Sequence, residues 1–198
     1  MKVGLIVEGH GEVPSVPILV RRVLQELEPT LSADILPSHR VSRGKLVKKE
    51  ELERAIEFMA RKVGNGGRIL VLLDADDALP CVLGPELLEW ARKYRPDRDT
   101  SVVVAKPEYE AWFLAAATSL RGVRGLPEDL EPPPTPESVR DAKGWLNHRM
   151  PDGYSETLDQ PAFSSVFDLS EARRADSFDK FFREVGRLFG LAVPPRGA

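Results

Sequence analysis

The chain has 198 residues, a formal charge of -3, 42% apolar and 30% charged residues and one cysteine. That length suits one well-cored domain with a smaller appendage, and the composition excludes a disordered or fibrous chain. A net acidic surface offers polyanions no general attraction, so a nucleic-acid ligand would need a local basic patch or bridging metal ions.

In chain order, Val3 to Val7 is a continuous apolar run, as in a strand covered on both faces. It ends on Glu8 and continues into the pliable turn Gly9-His10-Gly11-Glu12. Val16, Leu19, Val20, Val23, Leu24 and Leu27 then recur at helical spacing, with Pro14 suited to a first turn. A second strand is expected near Ala33 to Leu36, then a basic loop from His39 to Lys49. Leu52, Ala55, Ile56, Met59 and Val63 mark an amphipathic helix stopped by glycines. "RILVLLDADD", from Arg68, predicts the most deeply buried strand. A helix over Pro85 to Tyr94, a strand over Ser101 to Ala105 and a helix from about Pro107 follow. The proline-rich "GLPEDLEPPPTPES" predicts a linker or surface crossing. Beyond it, Thr135 to about Met150 and the stripe Phe178, Phe181, Phe182, Val185, Leu188 and Phe189 predict helices.

Alternating strands and helices imply an α/β fold: a mostly parallel four-stranded sheet with helices on both faces. Residues 1–120 form that core, and residues 121–198 a helical extension packed on it. In such sheets ligands bind beyond the carboxyl ends of the strands. Three acidic clusters fall there: Glu8 with Glu12, then Asp74, Asp76 and Asp77, then Glu108 and Glu110. Gathered carboxylates repel one another unless a cation lies between them. Oxygen ligands without cysteine favour Mg²⁺ or Mn²⁺ over zinc. Glu8, Asp74, Asp76 and Glu110 are the expected metal ligands, and Gly9 and Gly11 would let the backbone turn closely around the ion. Taken singly, each acid reads first as a cap or a solvated charge; Glu8, Asp74 and Asp76 together at one sheet edge reverse that reading.

Glu at the end of the first strand in "IVEGHGE" and the DxD in "LVLLDAD" resemble the TOPRIM fold of topoisomerases, primases and overcoming-lysogenization-defect nucleases. "VEGHGE", "LLDADD", "PEYEAWFLAA", "QPAF" and "ADSFDKFF" together resemble, more narrowly, a family of small TOPRIM-like prokaryotic proteins catalogued as a domain of unknown function, often encoded beside an ABC-type ATPase. The resemblance implies a TOPRIM/Rossmann-like core with Glu8 as its glutamate and Asp74 and Asp76 as its metal-binding aspartates. Glu110, and after it Glu108, match acidic positions following the next strand. It further implies metal-dependent phosphodiester hydrolysis of DNA or RNA, within a phage defence system that includes a partner ATPase.

In that reading Glu8 or Glu12 accepts the proton of an attacking water, and Lys106 offsets transition-state charge, unless it is simply an exposed structural lysine. Arg40, Arg43, Lys45 and Lys48, in "HRVSRGKLVKK", track a phosphate backbone or form a solvated loop; no aromatic residue is interleaved with them to stack on bases. No recognisable cleavage domain accompanies Tyr94, Tyr109 or Tyr154, so hydrolysis by water is preferred to strand passage. No GxxxxGK[ST] exists, which excludes a P-loop ATPase. The rival expectation is a non-catalytic metal- or nucleotide-binding subunit docked on an ATPase. His10 is expected at the loop surface, and Cys81 as a packed thiol. A strand at the very start and no apolar run of roughly 18 residues predict a cytoplasmic protein without a membrane span.

Overall fold

The computed structural model describes residues 1–197. Five parallel strands form one sheet: β1 (Lys2–Val7), β2 (Asp34–Ile35), β3 (His39–Arg40), β4 (Arg68–Asp74) and β5 (Asp99–Ala105). The order runs β2-β1-β4-β5, with β3 continuing the β2 edge along the carboxyl half of β1. The helices are α1 (Glu12–Leu27), α2 (Arg43–Leu46), α3 (Lys49–Val63), α4 (Pro80–Tyr94), α5 (Ala111–Ala115), α6 (Ala142–Asn147), α7 (Asp159–Val166), α8 (Leu169–Ala172) and α9 (Asp176–Phe189). This is the α/β arrangement with a parallel sheet that the strand pattern predicts, Rossmann-like in form, with the short β3 as a fifth strand beyond the four expected.

Successive strand residues point to opposite faces. Leu5, Val7, Leu70, Leu72 and Val103 join the core under α1, α5, α7 and α9, while Ile6, Ile69, Val71, Val102 and Val104 join the one under α3 and α4. Both faces are covered, which explains why these strands read as unbroken apolar runs. Gly4 permits close packing of α3 on β1, because a Cβ there would stand 2.2 Å from the Met59 side chain.

Four details depart from the sequence pattern. Residues 39–49 are not one loop: Arg40 pairs with Val7 in the sheet, and α2 follows at once. The helix expected over 135–150 shrinks to a 3-10 turn at Pro136–Ser138 and the short α6, which starts where the Asp141 carboxylate accepts the Gly144 N–H. α4 begins at Pro80 rather than Pro85, with the ring in the first turn where no N–H is required. Cys81, in that same turn, is exposed instead of packed.

The C-terminal helices close the first core. Trp112 of α5 lies 5.2 Å from Phe178 and 5.3 Å from Phe181, centroid to centroid, and donates its indole N–H to Ser177 Oγ at 2.8 Å. Phe113 meets Phe163 and Phe167 edge-on. No helix is long and apolar enough to cross a membrane among the described residues. Trp112→Ala should cost about 3–5 kcal/mol in urea unfolding, as for other large-to-small core changes. A loss below about 1 kcal/mol would show that α5 and α9 are not joined through this ring.

Candidate functional site

The chain turns from β1 through α1 to β2 on one side, then returns through α3 to β4 on the other. The crevice between the carboxyl ends of β1 and β4 is therefore the topological switch point. A cavity of about 260 Å³ opens there, lined by Glu8, Gly9, Glu12, Arg40, Asp74, Lys143, Glu156 and Gln160, among others.

Each acid is fixed through one oxygen. Glu8 Oε2 accepts the Asp74 backbone N–H at 3.1 Å, bridging the two strand ends directly. Glu12, in the first turn of α1, reaches back so that its Oε2 accepts the N–H groups of Glu8 at 2.8 Å and Gly9 at 3.2 Å. Asp74 Oδ1 accepts the Tyr109 N–H at 2.8 Å. Glu110, completely buried, accepts from the Tyr154 hydroxyl at 2.9 Å and Gln160 Nε2 at 3.3 Å through Oε1. Its Oε2 is buried with no hydrogen-bond partner. Each carboxylate thus keeps a second oxygen to which no group among the described residues donates.

One lysine enters this group. Lys143 Nζ lies 2.7 Å from Glu156 and 3.7 Å from Glu108. Burial alone would lower its ammonium pKa, but Glu110, Glu156 and Asp74 more than offset that and raise it. Burial, then mutual repulsion with Glu12, Glu110 and Glu8, drives Asp74 well above the ordinary carboxylate range. Burial likewise pushes Glu12 up to about 7 and Glu110 up to about 8, and raises Glu8. A site this rich in unneutralised acid attracts cations and protons.

Other residues lie elsewhere. Asp76 adopts a left-handed φ of 50°, and its exposed carboxylate pairs with Arg43 Nε at 3.2 Å. Arg43 also donates to the carbonyls of Asp74 at 3.0 Å and Ala75 at 2.8 Å, so it fastens the loop after β4. Lys106 lines a separate cavity with Asp77, Glu108 and Arg140. Arg40 sits on the rim of the acidic cavity, Lys45 lies further along the same side, and Lys48 is exposed. Gly11 does not make room for an ion: a Cβ there would stand 2.2 Å from Gln160 Oε1 and 2.4 Å from the Glu156 carbonyl, so its smallness admits the C-terminal segment. Sequence reasoning missed Lys143, Glu156 and Gln160 as pocket residues and Tyr154 as a partner of Glu110. The "QPAF" motif was the one signal for Gln160.

A metal ion tests these donors. Among the described residues no three His, Cys, Asp or Glu side chains stand as a ready-made cage. Mg²⁺ commonly takes one or two carboxylates and keeps several waters. The linked Glu8–Asp74 pair, each with an oxygen to spare, suits such a hydrated ion in its donor chemistry, and the orphaned Glu110 Oε2 supplies a further acceptor in the same group.

A family model matches residues 7–186. The chain belongs to the family described as Domain of unknown function (DUF4276). The DUF4276 match spans every pocket residue named above. No curated protein and no solved structure matches the chain.

The raised carboxyls make stability depend on pH. Glu12 and Glu110 hold protons in the folded chain above their ordinary 4.5, so the folded state binds more protons between about 4.5 and about 8. Their contribution is complete below 4.5 and is lost as pH rises through about 7 and about 8. Without divalent cations, the thermal midpoint should fall across this window. Glu110→Gln, which keeps an acceptor for Tyr154 and Gln160, should flatten the slope. A midpoint that climbs between those limits would contradict the assignment.

Proposed function

We propose that this DUF4276 chain is a metal-dependent phosphodiesterase acting on nucleic acid through a TOPRIM-like site. The observation that carries the reading is the gathering of Glu8, Glu12, Asp74 and Glu110 at the switch point, each tied by one oxygen and leaving the other without a donor among the described residues. Glu8 and Asp74 are the residues to hold Mg²⁺ or Mn²⁺, with Glu110 behind them. When bound, such an ion supplies Lewis acidity to a phosphodiester oxygen and acidifies a water.

The remaining roles belong to the chain. Glu12, with a pKa of about 7, is matched to accept a proton near neutrality. Lys143 keeps one positive charge among the acids, limiting their repulsion before an ion or phosphate arrives. Arg40 stands at the rim, its Nη1 making only a long contact of 3.4 Å to the Glu8 carbonyl, and is available to a phosphate. Lys106, lining another cavity, falls outside this arrangement, and Asp76 remains paired to Arg43.

A second reading, a non-catalytic subunit of an ABC-type ATPase, draws on a different observation. Leu79 and Val82 are 65% and 59% exposed beside a groove of about 550 Å³ between α4, β5 and α9. Plasmid nicking distinguishes the two. The purified protein should nick supercoiled plasmid with Mn²⁺, and Glu8→Gln and Asp74→Asn should each lower the rate at least about 100-fold, the upper end for losses of mere outer-shell support. Inert wild type with every divalent metal, together with stable co-purification of an ATPase, would favour the subunit reading instead.

A further inference from the structure

A second cavity, of about 330 Å³, lies beside the acidic one; Arg40 and Ser42 line both. Its walls bring together two segments far apart in sequence: His39 of β3 and Phe58 of α3. Their ring centroids are 4.3 Å apart. Phe58 is 41% exposed, off the buried stripe of Leu52, Ile56 and Met59 that anchors α3 to the sheet. The ring thus stands at the mouth of the cavity, packed on His39 rather than into either core.

The surroundings are cationic. Lys62 Nζ lies 4.5 Å from the Phe58 ring centroid. Arg54 is neutralised by Glu51 at 2.6 Å, but Arg40, Lys45 and Lys62 form no ion pair among the described residues. Unpaired cations around a half-exposed aromatic pair are the elements with which proteins hold single-stranded nucleic acid: stacking for the base, positive charge for the backbone. In a duplex the base faces are already stacked and cannot reach such a platform.

We propose that this groove binds an unpaired nucleotide of a single-stranded nucleic acid, the base stacking on the His39–Phe58 platform and the adjoining phosphates lying against Arg40 and Lys45. Because Arg40 borders both cavities, a strand held this way continues toward Glu8 and Asp74. Lys62 is exposed on a long aliphatic stem; a base takes its place over the Phe58 ring and the ammonium turns to a phosphate. Burial, with Lys62 nearby, lowers the His39 pKa and favours the neutral ring. The choice of a nucleic acid as occupant rests on the catalytic reading; the platform and its charge do not.

Binding can be tested without turnover, by fluorescence anisotropy in the absence of divalent cations. The probes are a labelled single-stranded oligonucleotide, its duplex, and a strand of equal length with abasic sugars. The single strand should bind tightest. Phe58→Ala should weaken it roughly 5- to 100-fold while leaving the abasic strand unchanged, and Phe58→Trp should retain affinity. Arg40→Ala with Lys45→Ala should weaken all three probes and reduce the dependence on salt. Phe58 is outside the core, so thermal midpoints should stay at the wild-type value. Equal affinity for the abasic strand, or no effect of Phe58→Ala, would overturn the inference and leave a surface for polyanions such as acidic peptides. Absence of single-strand binding would overturn it too. If nicking fails but Phe58-dependent binding persists, only the catalytic reading falls; if nicking proceeds with binding indifferent to Phe58, only the platform falls.

Discussion

The hydrogen bond from the Asp74 backbone N–H to Glu8 Oε2 welds the ends of β1 and β4 at the point where the chain reverses its direction of crossover. Everything around it follows from that juxtaposition. Two strands that are neighbours in space and 66 residues apart in sequence end on carboxylates, and α1 and the segment after β5 add Glu12 and Glu110. Like charges in a desolvated crevice oppose folding. The structure tolerates them because each acid is anchored by at least one donor and Lys143 lies nearby. Such local costs persist where the surrounding packing is strong enough to impose them, and here two cores clamp the sheet from both sides.

How much of this is legible in the sequence depends on how local the cause is. β1, β4 and β5 are readable because burial on both faces leaves no polar position in most of their length. Glu8 and Asp74 are readable because a carboxylate closing such a run has nowhere to go but the sheet edge. Asp76 is a different matter: two residues further on, a left-handed backbone turn and Arg43 decide where the side chain points, and neither is encoded in a DxD spacing. Lys143 belongs to a six-residue helix too short to show a period, and it reaches the acids through tertiary packing alone. Phe58 likewise gains its meaning from His39, 19 residues earlier, once β3 joins the sheet.

Arg43 shows how composition misleads about availability. It sits in a basic stretch that reads as a phosphate track, yet its Nε and Nη2 are tied to two carbonyls and a carboxylate at the end of β4. Arg40, three residues away, makes one long contact and remains at the rim. A count of positive charges treats the two alike; their hydrogen bonds assign one to architecture and leave the other facing solvent.

The contact of Gly11 with Glu156 and Gln160 joins the opening turn of the chain to a segment near its end. The sheet supplies the floor of the acidic cavity, and Glu156 and Gln160 of that late segment supply one wall. Burial is the largest cause of the raised carboxyl pKa values of Glu12, Asp74 and Glu110. The unusual proton affinity of this crevice therefore draws on both ends of the chain at once.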